Sequence, residues 1–482
     1  MRKYCSFPLR KRNNIYIIRV IKMRRSGVFL IKDMKVTKFG GSSCADATQI
    51  KKVCDIILSD PERRVIVVSA PGKRFSSDIK VTDLLIALAD AKISGQSGEK
   101  ELKAVLDRFA SICEELEIPD CMESIKENIE ESINQPVKDA AHYMDATKAL
   151  GEDSCARLVS TYLTKIGHKA TYCNPKVAGL LLETEAGGHV KILPESYDNL
   201  ADLARLRELC VFPGFFGYSK EGEIITFSRG GSDITGAILA AALHASVYEN
   251  WTDVDNVFAV NPNLVKDPFP VTEITYDEMR ELAYAGFQVL HEEALYPAFV
   301  RGIPVNIKNT NNPSGKGTMI VSKRTHYDSL VTGIAGEKGF CALNMSKYLM
   351  NREVGFLVKV LGIIADEGLS IEHMPSGIDS VSIILRASDF TPEKERRIVQ
   401  RISLELNVDN ISVNRDLAIV MIVGEAMANT VGTTARAATA LSKAGINLEL
   451  INQGASEISV MFGVREEYCS YAVRTLYKEF FG

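Results

Sequence analysis

One stretch, FSRGGSDITG from Phe227 to Gly236, does most to limit what this chain can fold into. Ahead of it stands EGEIIT, whose isoleucines end a buried strand; behind it runs AILAAALHA, rich in good helix formers. Two adjacent glycines let the backbone turn tightly between strand and helix and come close to a ligand. The N-terminus of such a helix offers N–H groups and partial positive charge, so it can receive an anion. Arg229 adds a planar fork of donors suited to a carboxylate or phosphate. Asp233 is open to several roles: N-cap, partner of a substrate amine, or metal contact. An ordinary strand–turn–helix with a surface arginine would be written in the same letters.

A second junction of this kind lies upstream. Lys35 to Phe39 reads as a strand, GGSS follows, and ADATQIKKVCDIIL carries a helical pattern. Lys38 ends that strand, where a long cation can reach a transferring phosphoryl group. The GxxxxGK[ST] loop is absent. RRVIVVSAPG, from Arg63 to Gly72, repeats the strand-then-turn pattern, and the helix after it is expected to begin near Thr82, a hydroxyl placed for capping or for a small substrate. Farther on, a strand ends in Trp251-Thr252-Asp253-Val254-Asp255, the kind of strand end that borders a ligand crevice in an open α/β sheet. A charged turn beside one exposed aromatic is the plainer reading of the same residues. Strands alternating with helices throughout this part predict a mostly parallel sheet covered on both faces.

Between these signals, residues 97–149 read as a charged helical insertion with no chemistry of its own. Glu152 follows, expected at the head of a further helix, where a glutamate ordinarily offsets the dipole. The first 32 residues hold ten Lys or Arg and no acid, a basic arm or targeting segment by composition, with Met34 the expected true start. The last third changes character: helix, turn, strand, turn, strand, with a similar order around Gly368 and again around Gly445. A repeated small module suggests binding or regulation.

At 482 residues the chain has room for about three domains. A net charge of −4 gives no electrostatic case for nucleic acid or membrane. No apolar run approaches the ~20 residues of a membrane-spanning helix. Ten scattered cysteines without a CxxC pair argue against a metal cluster or disulfide framework and for a reducing, cytoplasmic setting.

Taken together the motifs resemble aspartate kinase, of the amino-acid-kinase family: KFGGSS (Lys38–Ser43), GEDSCARLVS, SRGGSDITGA and WTDVDNVFAVNP occur in the family's order, and the tail is similar to paired ACT modules. The resemblance implies an α/β amino-acid-kinase fold, a mostly parallel sheet in an αβα sandwich over 34–326. Two α+β ferredoxin-like ACT modules would follow, at 327–412 and 413–482, with residues 1–33 a basic extension. It implies ATP-dependent phosphorylation of L-aspartate to 4-phospho-L-aspartate, feeding lysine, threonine and methionine synthesis, with Mg²⁺ carried on ATP oxygens and no protein metal site.

The same resemblance implies residue roles. Lys38 would stabilise the transferring phosphoryl, with Gly40 and Gly41 as backbone donors and Ser42 as a phosphate-side hydroxyl. Arg229 would clamp the substrate α-carboxylate. Glu152 and Asp233 would face the ammonium and orient Lys38 and Arg229, with Thr82 and Ser232 on the substrate side. Thr252 and Asp253 would hold the nucleotide, beside Phe258 and Gln288. An effector pocket would use Met345, Gly355, Phe356 and Glu372, with lysine the favoured effector because Glu372 can meet its cation, and threonine the alternative. ACT modules would join subunits as a homodimer or dimer of dimers. Three positions depart from the family pattern on the nucleotide side: Phe258 for Tyr, Asn263 for Arg and Gln288 for Lys; NPK at Asn174–Lys176 replaces a DAR-like segment. Lys266, Lys308 or another residue would have to substitute for the missing cations. A kinase for a related amino acid, or a non-catalytic sensor on the same scaffold, is the competing expectation.

Overall fold

The computed structural model describes residues 33–185, 188–228, 230–287 and 292–482. Arg229 and Gln288 lie outside the described residues, as does the basic N-terminal stretch. The chain forms two compact units, one from Met1–Asp255 and Glu293–Met319, the other from Asn256–Glu292 and Ile320–Gly482.

In the first unit six strands pair in parallel: β1 (Lys35–Phe39), β2 (Arg63–Val68), β3 (Ala170–Tyr172), β4 (Leu209–Pro213), β5 (Val247–Thr252) and β6 (Val305–Asn309). Their order is β6-β5-β1-β2-β4-β3. Chain direction across the sheet reverses at β1, between β2 on one side and β5 on the other, so a crevice opens at the carboxyl ends of β1 and β5. Lys38 lies level with Asn250 there, and Phe39 with Trp251.

The longer helices are α1 (Ala47–Leu58), α2 (Val81–Ile93), α3 (Glu99–Glu115), α4 (Pro119–Ile133), α5 (Ala140–Lys165) and α6 (Gly231–Leu243). Asp46 caps α1, accepting from the Gln49 N–H at 2.9 Å. Val105, Phe109, Ile125 and Ile129 of the expected insertion bury against Ile50, Leu85, Val159 and Trp251, so α3 and α4 belong to the main core.

EGEIIT forms a strand, Ile224–Thr226, paired antiparallel with Phe216–Tyr218 as a hairpin that leads into the glycine turn. Two sequence readings change here. Trp251 is fully buried rather than an exposed aromatic. Glu152 lies deep inside α5, not at a helix head, so dipole compensation does not explain it.

The second unit holds one five-stranded antiparallel sheet: β7 (Gly333–Ser346), β8 (Ser380–Arg386), β9 (Asn410–Val423), β10 (Leu450–Gln453) and β11 (Ser459–Arg465), ordered β8-β7-β9-β11-β10. The 14-residue strands β7 and β9 each serve two cores. Cys341, Leu343 and Met345 pack with Ile383 and Phe356, while Ile334 packs with Val420 and Phe462. The expected module border at 412/413 therefore falls inside a continuous strand. Helix α7 (Tyr276–Tyr284), opened by a Thr275–Glu278 capping box, belongs to this unit, with α8 (Phe356–Asp366), α9 (Pro392–Leu406), α10 (Thr433–Lys443) and α11 (Cys469–Phe481).

Candidate active site

Lys38 and Asp233, far apart in sequence, meet at the sheet's switch point. The Lys38 Nζ lies 2.7 Å from Asp233 Oδ1, with both side chains largely buried. Asn250, from the neighbouring strand, donates to the same oxygen at 2.7 Å. Gly230, at φ 74°, occupies the cap position of α6, where a side chain would be strained. Asp233 is thus inside the first turn and free to take the lysine, which removes its N-cap reading. Tyr248 Oη donates to its carbonyl at 3.1 Å and fixes its backbone. Ser232, one residue earlier, is buried beside it.

Glu152 enters from α5. Burial pushes its carboxyl up to about 8, against the Ala70 N–H, its own N–H and the Lys38 charge, which all favour ionisation. Its Oε2 is buried and unpartnered. An acid in this state gains by meeting an ammonium ion.

The glycine turn after β1 is closed on several sides. Gly40 already donates its N–H to the Trp251 carbonyl at 3.0 Å, so it is not an idle donor as expected. Gly41 and Ser42 open a short 3-10 turn, and Gly72 N–H bonds the Gly41 carbonyl at 2.8 Å. A Cβ on Gly72 would sit 2.6 Å from the Gly41 carbonyl carbon, so the position requires glycine. Ser43 shares a 2.7 Å hydroxyl contact with Thr310, a pair the sequence reading missed because 267 residues separate them. Thr82 is the second residue of α2, half-buried; Lys80 takes the cap position, which leaves Thr82's hydroxyl to other partners.

At the end of β5, Thr252 Oγ1 bonds Asp253 Oδ1 at 3.2 Å, and Asp253 is exposed. Asp255, not singled out before, accepts from Asn309 and Asn312 at 3.0 Å each and closes the same rim. Beneath it, Trp251 stacks on Phe39 and lies between the Arg63 and Lys308 cations, at 5.1 and 5.2 Å from its ring centroid. Arg63 makes a two-pronged bond to Glu249, which also accepts from the indole N–H. Lys308, offered above as a replacement cation, is engaged by this ring and by the Gly315 carbonyl at 2.8 Å.

These residues can hold an anion and an ammonium side by side. The amino acid kinase family model matches residues 33–309, and an ACT domain model matches 420–480. Aspartokinase 3 of Bacillus subtilis is 52% identical over 449 residues, covering 93% of this chain and 99% of its own. The chain belongs to the aspartate kinases. The crystal structure of the Clostridium acetobutylicum aspartate kinase superposes with a TM-score of 0.80 at 38% identity, over 93% of this chain and all of that one. Escherichia coli aspartokinase III, solved with aspartate and ADP, gives 0.71 at 27%, and solved with lysine and aspartate 0.68 at 28%, each over 93% of this chain and 100% of that chain.

Within the second unit of this aspartate kinase, Phe258 is half-buried in a two-residue strand facing Pro270, and Asn263 sits in an exposed turn. Met345 and Phe356 are buried in the β7–β8 core, and Gly355 is the left-handed cap of α8. Glu372 already has a cation. Arg386 donates to it at 3.1 Å and to Glu337 at 2.9 Å, and the Tyr284 hydroxyl bonds its other oxygen. His373 Nε2 lies 3.1 Å from that hydroxyl, and burial holds the ring's pKa below its ordinary value.

Proposed function

We propose that this chain transfers the γ-phosphoryl group of ATP to the side-chain carboxylate of L-aspartate, and that its second unit lowers that activity when an amino acid binds. The observation that carries the reading is the Lys38–Asp233 pair beside the unpartnered, buried Glu152 at the sheet's switch point. A carboxylate oxygen of aspartate attacks the γ-phosphorus, the bond to the β,γ-bridging oxygen breaks, and ADP leaves. Such a transfer needs alignment and charge stabilisation more than covalent help. Lys38 supplies the positive charge toward the phosphoryl oxygens, and Asp233 with Asn250 fixes its direction. Glu152, ionised on meeting the ammonium, orders the substrate. By family pattern Arg229 takes the α-carboxylate, with Thr82 and Ser232 beside it, and Thr252 and Asp253 serve the nucleotide.

Among the described residues no group of three His, Cys, Asp or Glu is placed to hold a metal. The fit is to Mg²⁺ held by nucleotide oxygens and water, which would neutralise charge on the β- and γ-phosphates. Lysine is the favoured effector, since the E. coli relative was solved with it; threonine remains the comparison ligand. Val354 and Val431, nearly fully exposed and each one residue before the glycine cap of a helix, support self-association through this unit. The nine cysteines among the described residues are free and buried, which suits a reducing cytoplasm, and no described helix is long and apolar enough to cross a membrane.

Trapping the acyl phosphate as a hydroxamate in the presence of MgATP tests the reaction. Hydroxamate formed from L-aspartate supports it; ATP consumption without hydroxamate refutes it.

A further inference from the structure

We propose that Arg108, on a helix distant in sequence from every motif, is a positioning residue that holds the two glycine turns of the active site together. This rests on the reaction proposed above. Arg108 lies in α3, the stretch that carried no functional signal in the sequence. Its side chain is almost wholly buried and points into the seam between the turns. Nη2 donates to the Gly72 carbonyl at 2.5 Å and to the Ala45 carbonyl at 3.1 Å. Nη1 donates to Asp78 Oδ2 at 2.7 Å.

Each of those acceptors has a place in the site. Ala45 directly follows the 3-10 turn Gly41–Cys44. Gly72 closes onto Gly41 through the 2.8 Å bond described above. Two residues before Gly72, the Ala70 N–H is one of the groups stabilising the Glu152 carboxylate. Asp78 also gathers the Arg74 backbone N–H at 3.0 Å and its guanidinium at 2.8 and 3.0 Å, so the loop from Gly72 to Asp78 is folded back on itself. The Val81 N–H bonds the Pro71 carbonyl at 3.0 Å and ties that loop to α2. One guanidinium therefore bridges the Lys38 side of the site, through Ala45, and the Glu152 side, through Gly72.

The geometry needs a fork. A lysine ammonium is a point charge on a flexible stem and cannot place one nitrogen on the Asp78 carboxylate and another on the two carbonyls. An arginine that only joined α3 to the core would be expected to reach one neighbouring element; this one reaches both turns and their loop. Displacing the turns by as little as about 1 Å can cost on the order of 100-fold in rate.

The test compares full-length parent, Arg108→Lys and Arg108→Met in the hydroxamate assay, with thermal melts on the same preparations. Arg108→Lys is expected to lose at least about tenfold in kcat while melting within about 3 °C of the parent. It should also shift the acid limb of the kcat/KM profile to higher pH, because a displaced Ala70 N–H no longer favours ionised Glu152. If Arg108→Met does not fold, the lysine variant decides alone. Unchanged kcat in Arg108→Lys, or a loss that only follows the folded fraction with no shift in the profile, would overturn the proposal. A parent without aspartate phosphorylation would instead overturn the reaction on which it rests.

Discussion

Glu152 and Glu372 are both poorly exposed carboxylates close to a cation, one in each unit, and the two surroundings differ in a way that separates their roles. Glu372 is partnered on both oxygens, one taken by Arg386 and the other by the Tyr284 hydroxyl. Glu152 is starved: one oxygen has no partner, and burial holds the carboxyl protonated up to about pH 8. A buried polar atom without a partner costs roughly 1–3 kcal/mol, a cost that a ligand ammonium would cancel. The site kept for chemistry is the unsatisfied one.

The largest expected effect tests the chemical side of this contrast. Lys38→Met should lower kcat about 1,000-fold, since it removes the principal charge aimed at the phosphoryl group, while leaving Asp233 bonded to Asn250. Steady-state turnover measures it, and a loss below tenfold would move the catalytic role elsewhere.

Gly72→Ala comes next. Its Cβ would meet Gly41 backbone at 2.6 Å, so the turns must part, and kcat/KM should drop about 100-fold. Fluorescence-monitored melts distinguish this from global unfolding.

Glu152→Gln sharpens the contrast itself. Between about pH 4.5 and 8 the folded state keeps a proton that the unfolded chain has lost, so folding stability falls as pH rises through that window. The slope contributed is at most about 1.4 kcal/mol per pH unit. The glutamine variant should show a flatter stability–pH curve in denaturant titrations, together with a KM for aspartate raised on the order of tenfold. An unchanged curve would mean that Glu152 is ionised in the free protein.

The smallest effect belongs to the partnered acid. Tyr284→Phe removes one hydrogen bond to Glu372 and is expected to leave kcat within twofold, while shifting half-inhibition by lysine about fivefold, a coupling of about 1 kcal/mol. Inhibition curves for lysine and threonine read this directly. A kcat as damaged as that of Lys38→Met would break the division of roles.

How far these features could be read in the letters depends on range. The strand–glycine–helix junctions at Lys38 and Asp233 were legible, because local propensity and glycine spacing specify them. Glu152 was misplaced by Gly151, which looks like a helix break. In the structure that glycine is mid-helix, where a Cβ would lie 2.7 Å from the Ala70 Cβ, so it lets the turn after β2 pack on α5. Arg108 and Thr310 gave no signal, since their meaning comes from partners tens to hundreds of residues away. The paired modules were visible as a repeat. Their shared strands were not, because the pairing of β7 with β9 joins residues 64 to 90 positions apart and leaves no local mark. Of the two readings of Trp251, the exposed aromatic beside a charged turn fails: the ring is buried, with the Arg63 and Lys308 cations over it.

The most direct test of the whole account is a single-turnover measurement of phosphoryl transfer from γ-labelled MgATP to L-aspartate, run with the parent chain and with Lys38→Met. The account predicts labelled acyl phosphate from the parent and about 1,000-fold less from the variant, with L-aspartate still protecting both from thermal unfolding through Glu152. Equal transfer by the two proteins, or none by the parent at saturating aspartate, would contradict it.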